Sequence, residues 1–446
     1  MKKLAVLAVV FAGLAAFVYF YEIEGQEARD EAKKLEESLL RIQQDQISQV
    51  EIVRKDKDPI RLVKKDEAWM LESPIQTSAD KTTVDSLVRG LAEAHRERTF
   101  DDIKKDDLGK YGLVDPAMQI HVTAGDQKET LLIGSKDFSG TNLYVKLEGG
   151  PTVYLTSTSL ESSADKPLLD WRSKDAVSID RDKVTEVDIR RPSDEVHLLK
   201  KDDQWRLTQP IADRGDETQV SSLLSALQFA KADRFVEEKP ESLEKYGLAK
   251  PGVVVRVREE GKDSWTELQL GSREGKDGDG YFARNPQKAP VFTLKKEVYD
   301  DLTAAVSKFR DRSVLDVKQD QIASLKIVRG KETLSLKHED YKWIFESPDE
   351  FKGKEALSYK FWYPLADMKF VDILKEVPKS DRADFELGVK LSDGSEQHYR
   401  YWRSGDDAYA VCEESGRGGR ISREDFEKLQ FKTADIVLKG DESKSE

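Results

Sequence analysis

Trp69-Met70-Leu71-Glu72-Ser73-Pro74 is followed along the chain by Trp205-Arg206-Leu207-Thr208-Gln209-Pro210 and again by Trp343-Ile344-Phe345-Glu346-Ser347-Pro348. The pattern W-x-[LF]-x-x-P therefore occurs three times, at intervals near 136 residues. That interval is far longer than the roughly 20 to 50 residues of solenoid repeats, so each copy is expected to carry its own core.

The surroundings of the motif repeat with it. About ten residues after the first two copies come the stripes Val84, Leu87, Val88, Leu91 and Val220, Leu223, Leu224, Leu227. Both have the i, i+3, i+4, i+7 spacing of a helix that lays one face on a core. Asp80 and Asp216 stand where N-caps belong, and Gln219 completes a capping-box spacing. Next, Leu108-Gly109-Lys110-Tyr111-Gly112-Leu113-Val114-Asp115-Pro116 is matched by Leu243-Glu244-Lys245-Tyr246-Gly247-Leu248-Ala249-Lys250-Pro251, giving L-x-K-Y-G-L-x-x-P twice. Further on, Ile133-Gly134-Ser135 pairs with Leu270-Gly271-Ser272, and Val153-Tyr154 with Val291-Phe292. The copies are co-linear.

Within a copy, short alternating runs such as 50–53 and 60–63 lead into the Trp strand, and charged turns separate them as in hairpins. More strands are expected after the YGL turn. Two groups of strands with a helix between them define an α+β fold, a mainly antiparallel sheet with helices on one side. The expected organisation is a transmembrane anchor at 1–23, a juxtamembrane helix at 24–46, and repeat domains at 47–176 and 177–317. A divergent third repeat at 318–438 and a charged tail at 439–446 complete it. The short charged linkers near 173–182 and 311–319 imply limited freedom between domains. The third copy keeps the Trp motif but lacks YGLxxP, and has Tyr359, Phe361, Trp362 and Tyr363 where the helix is expected.

The repeated residues read as structural. Gly112 and Gly247 can take positive φ, while Pro116 and Pro251 fix the restart of the chain into a strand. The tryptophans are expected to plug the core beneath the helix with the indole N–H bonded to backbone. Residues common to every copy more plausibly hold up a fold than build three identical active sites.

Lys2 and Lys3 precede an apolar run over residues 4–21, 18 residues long and so at the threshold for a membrane-spanning helix. With no basic residue after it until Arg29, the positive-inside rule keeps the N-terminus cytoplasmic and exports the rest. The composition is 38% hydrophobic and 36% charged, enough apolar material for several small cores beneath a charged surface. At net charge −13, phosphate backbones are repelled, which argues against nucleic acid as a partner. Leu35, Leu39 and Ile42 recur at helical spacing in the segment that follows the anchor.

No catalytic constellation emerges. The five histidines are isolated, with no H-E-x-x-H and no pair at i, i+4, and no phosphate-binding loop or G-x-S-x-G elbow is present. Cys412, the single cysteine, reads as a small buried residue. The glycine loop at 275–280 reads as a hairpin turn, because EF-hand ligand spacing is missing. No cofactor or metal is expected, and Tyr359, Trp362 and Tyr363 form the best candidate partner surface.

The anchor, the W-x-L-x-x-P strand, the amphipathic helix and L-x-K-Y-G-L-x-x-P together resemble the bacterial family of domain of unknown function number 4340, over most of residues 47–317 and weakly into the third copy. The resemblance implies single-pass inner-membrane proteins with a periplasmic or other extracytoplasmic bulk. It also implies genes often lying beside ABC transporters with a gliding-motility-type auxiliary component. The expected role is thus a non-enzymatic accessory or scaffolding subunit that contacts a transporter permease or auxiliary subunit. A module binding envelope glycan or peptide through the third-domain aromatics is the alternative.

Overall fold

Alternation decides the architecture. The strand Ile47–Arg54 buries Ile47, Val50 and Ile52 while Gln49, Glu51 and Val53 face the other way, as the two-residue period of a pleated strand requires. A computed structural model describes residues 36–101, 103–275 and 279–439. In the first copy, β1 (Ile47–Arg54), β2 (Lys57–Lys65), β3 (Ala68–Ser73) and β4 (Thr77–Ser78) form one meander. A short β5 (Arg98–Phe100) precedes a second meander of β6 (Met118–Ala124), β7 (Gln127–Lys136), β8 (Asn142–Leu147) and β9 (Val153–Ser157). The order across the sheet is β4-β3-β2-β1-β6-β7-β8-β9-β5, with every pairing antiparallel.

Because β4 and β5 lie at opposite edges, the helix α1 (Lys81–Glu93) that joins them must cross the sheet. Val84, Leu87, Val88 and Leu91 are buried beneath it, each contributing about 1.5–3 kcal/mol by removal from water. The Asp80 carboxylate caps the helix by accepting from the Thr83 backbone N–H at 2.8 Å. In the second copy α2 (Glu217–Gln228) does the same, with Asp216 accepting from the Gln219 N–H at 2.9 Å. The third copy has α3 (Ser358–Ala366) in that place. The second and third sheets have the same nine-strand order as the first. The fold is therefore α+β, three antiparallel sheets each with helices over one face.

The YGL and Gly-Ser motifs turn out to be two halves of one contact. Gly112 adopts φ +67°, and a Cβ there would lie 2.3 Å from Ser135 Oγ. A Cβ on Gly134 would lie 2.1 Å from the Tyr111 carbonyl oxygen. The second copy repeats this, Gly247 at φ +67° against Ser272, and Gly271 with a Cβ position 2.2 Å from the Tyr246 carbonyl oxygen. Leu113 and Leu248 are buried in this contact, and the strands resume at Met118 and Val253, just after Pro116 and Pro251. The peptide bonds before Pro74, Pro210 and Pro348 are all cis.

Two expectations need correction. The helix expected over 24–46 does not run to its end: Glu36 and Glu37 are helical, but Ser38 bridges to His95 and Arg41 takes φ 52°. Leu39, Leu40 and Ile42 are buried in the core of the first domain, so their spacing reflects a packed irregular segment. The Trp343 indole N–H is buried without a hydrogen-bond partner, because aromatic rings surround it: His338 at 4.5 Å, Trp362 at 5.4 Å and Phe361 at 5.9 Å between centroids. The expected anchor at 1–23, residues 24–35 and the tail from 440 lie outside the described residues. Among the described residues no helix is long and apolar enough to cross a membrane.

The first sheet belongs to one compact unit, and the second and third sheets together to another. Within the latter, the segment expected to link the two domains is pinned by charge. Arg214 contacts Asp311 at 3.2 Å and Asp316 at 2.6 Å, while Asp213 receives Arg310 at 2.6 Å and Arg417 at 2.9 Å. Burial alone would raise the Asp213 carboxyl, but Arg417, Arg310 and the Arg214 N–H hold it below the ordinary carboxylate range.

Candidate binding face of the third domain

Each sheet has a second face, pointing away from its helices, and strand register lets the three be compared position by position. In the second copy, the strand Val184–Arg190 presents Glu186, Asp188 and Arg190 on this face, and the strand Val253–Glu259 presents Arg256 and Arg258 opposite them. His197 stands across from Asp188 on the neighbouring strand.

These groups fill the face with paired charge. Asp188, only 2% exposed, accepts through Oδ2 from Arg256 at 2.6 Å and Arg190 at 3.2 Å, leaving Oδ1 without a hydrogen bond. Glu186 pairs with Arg258 and with His197 Nε2 at 2.7 Å. The Trp265 ring covers both guanidinium groups, at 4.5 Å from Arg256 and 5.1 Å from Arg258, within cation–π range.

In the third copy the same register positions have other residues. Ile322–Arg329 places Ser324 at the position of Glu186 and Lys326 at that of Asp188. Phe385–Leu391 places Gly388 at the position of Arg256 and Lys390 at that of Arg258. Ser335 replaces His197. Three large charged or polar side chains have thus become Ser, Ser and Gly, and the face opens into a cavity of about 470 Å³. A Cβ at Gly388 would find its nearest neighbours at 3.6–3.8 Å, so no steric constraint demands glycine here.

The W-x-[LF]-x-x-P motif contributes a wall. In every copy the pairing slips by one residue just before the motif's last two positions, leaving Glu72, Thr208 or Glu346 as the extra residue of a β-bulge. Glu72 is held by Arg61 at 3.5 Å and Lys65 at 2.8 Å, which keep its carboxyl below the ordinary range, chiefly through the Lys65 hydrogen bond. Thr208 Oγ1 lies 2.5 Å from His197 Nδ1. Arg61 and His197 occupy the position that is Ser335 in the third copy, so Glu346 loses its partner.

Of the charged groups lining the cavity, Lys390 meets Glu396 at 4.0 Å and Arg400 meets Glu413 at 3.7 Å. Among the described residues, the side chains of Lys326, Glu346 and Glu386 make no ion pair or hydrogen bond, though Glu346 acts through space on Lys337. At one end, His398 contacts Glu414 at 2.7 Å. Burial alone would raise the Glu414 carboxyl, but the His398 backbone N–H and ring hold it down at about 2. The arrangement offers an exposed cation between carboxylates, which suits recognition of charge. Among the described residues no cluster of three His, Cys, Asp or Glu could hold a metal ion.

The aromatic candidates divide. Trp362 is 2% exposed and packs on Trp343, so it belongs to the core with Phe361 and Leu365. Tyr359 and Tyr363, at 57% and 50% exposed, lie on the outer side of α3, so the proposed platform loses its central ring. Sequence reasoning missed Lys326, Ser335, Gly388 and Glu346. The available signal was the exchange of T-E-V-D-I-R for A-S-L-K-I-V in the opening strand, a reversal from acidic to basic at one outward position.

A tandem array of nine-stranded antiparallel sheet domains, the second with its outward face closed by paired charge and the third with that face open, is the class that this fold and face define. The family described as Domain of unknown function (DUF4340) matches residues 69–211 and 205–388, more than half of the chain, and the protein belongs to that family. No curated protein matches the sequence.

Proposed function

We propose that the chain is a non-enzymatic, extracytoplasmic accessory subunit of an ABC-transporter-type complex, held at the bacterial inner membrane by residues 4–21 with its N-terminus in the cytoplasm. The observation that supports this reading best is the repetition itself. Residues shared by the copies, from Trp69, Trp205 and Trp343 to the mutually packed Gly112 and Gly134 or Gly247 and Gly271, are occupied in building sheets. A protein that repeats a scaffold in this way presents surface to other proteins. The hydrophobic run beside Lys2 and Lys3 supplies the attachment, and the charge-pinned junction at Asp213 gives the second and third domains a fixed relation suited to spanning a partner.

The test is crosslinking in intact cells, followed by mass spectrometry of what co-purifies with the full chain in mild detergent. Recovery of a transporter permease or auxiliary subunit is expected. Recovery of the chain alone, at crosslinking levels that capture known membrane complexes, would contradict the accessory role.

A further inference from the structure

We infer that the open face of the third sheet binds a short zwitterionic peptide, its carboxylate on Lys326 and its ammonium on Glu346. This goes beyond the accessory role and does not depend on it.

The argument begins with what the cavity lacks. On the second sheet every outward charge near the centre has a counter-charge, and Trp265 seals the lattice. At the same positions on the third sheet the volume of Glu186, His197 and Arg256 has been removed, while a cation and two carboxylates stand unpaired. Charges beside an open cavity, with side-chain partners that homologous positions supply elsewhere in the same chain, are partners for a ligand.

The pattern then selects the ligand's chemistry. The lining holds three cationic side chains, Lys326, Lys390 and Arg400, against four carboxylates, Glu346, Glu386, Glu396 and Glu413, so there is no excess of positive charge to attract a polyanion. A simple anion would meet the carboxylates, and a simple cation would meet Lys326. A molecule bearing both charges satisfies both, and the two charges must be spaced correctly. The backbones that carry Lys326 and Glu346 lie on strands two apart in the sheet, about 10 Å across, and the two long side chains reach from there toward a ligand on the scale of about three extended residues.

Ser324, Ser335 and the backbone at Gly388 line the floor between them and provide donors and acceptors for peptide groups. Val328 is the one apolar side chain of the opening strand on this face, so recognition rests on the charged termini and the backbone rather than on particular side chains. A plain tripeptide is therefore an adequate probe.

The experiment is saturation-transfer difference NMR on the full chain in detergent micelles with trialanine, N-acetyl-trialanine and trialanine amide. Trialanine is expected to bind, and each capped peptide to bind at least about tenfold more weakly, since each loses one charge-assisted contact. Lys326→Ala, an exposed position where folding is not at stake, is expected to weaken trialanine at least about tenfold. The pair Lys326→Asp and Gly388→Arg, which writes the Asp188 and Arg256 arrangement into the third sheet, is expected to abolish binding. Failure of trialanine to bind, equal binding of the capped peptides, or wild-type affinity in Lys326→Ala would each overturn the inference. None of these results bears on whether transporter subunits co-purify, so the two proposals fail separately.

Discussion

The second and third sheets share strand order, register and a bulge at the Trp motif, yet their outward faces are opposites. One is closed by Glu186, Asp188, Arg256 and Arg258 under Trp265; the other is open over Gly388 with Lys326 unpaired. The helix-side cores differ far less in kind: each buries a Trp, a stripe of aliphatic or aromatic side chains and the alternate residues of the central strands. The two faces of a sheet are thus free to change independently. The core face is constrained by close packing, whereas residues on the outward face answer only to their cross-strand neighbours. Duplication preserves the first and releases the second.

The largest effect that would break this comparison is expected at one register position. Asp188→Ala should cost about 3–5 kcal/mol, because it strands the largely buried Arg256 guanidinium without its carboxylate. Lys326→Ala, the same position in the third sheet, should change stability by less than about 0.5 kcal/mol. Chemical denaturation of the full chain, followed by the exchange of amide protons in each sheet, separates the two domains' responses. Equal costs at the two positions would mean that Lys326 has a structural partner after all.

Glycines sharpen the contrast on a smaller scale. Gly134→Ala and Gly271→Ala should each destabilise by about 1–3 kcal/mol, since the new methyl meets a backbone carbonyl that cannot yield. Gly388→Ala meets only ordinary contacts and should gain about 0.5 kcal/mol from the lower entropy of the unfolded chain. The same exchange protection measurement reads all three.

How much of this was legible in the sequence follows the same division. The helix stripes, the N-caps at Asp80 and Asp216 and the turns at Gly112 and Gly247 depend on neighbours in the chain, and periodicity or local φ demands expose them. The partnership of Tyr111 with Gly134 was invisible, although both motifs had been noticed, because they stand 23 residues apart with all of β6 between them. Leu39 and Ile42 misled because a packed irregular segment can reproduce a spacing of three by chance. By sequence Trp362 groups with Tyr359 and Tyr363 as the best candidate surface, although core packing is the favoured reading of the group, because an aromatic-rich run looks alike on both sides of a helix; in the structure Phe361, Trp362 and Leu365 face the core and Tyr359 and Tyr363 the solvent. The open face required the registers of two sheets to be laid side by side, which no linear motif provides.

The most direct test of the claim that this face is open and made for a ligand is reductive methylation of the lysines of the folded full chain with isotope-labelled formaldehyde, completed and quenched before any peptide is added, followed by NMR of the methyl signals as trialanine is titrated in. Lys326, whose methylated amine keeps its charge, is expected to be modified as readily as an exposed surface amine and to shift with the peptide, while Lys428, on a helix of the same domain paired with Glu424 and Asp425, does not shift. A Lys326 that stays unmodified in the free protein, or whose signal trialanine leaves unmoved, would contradict the account.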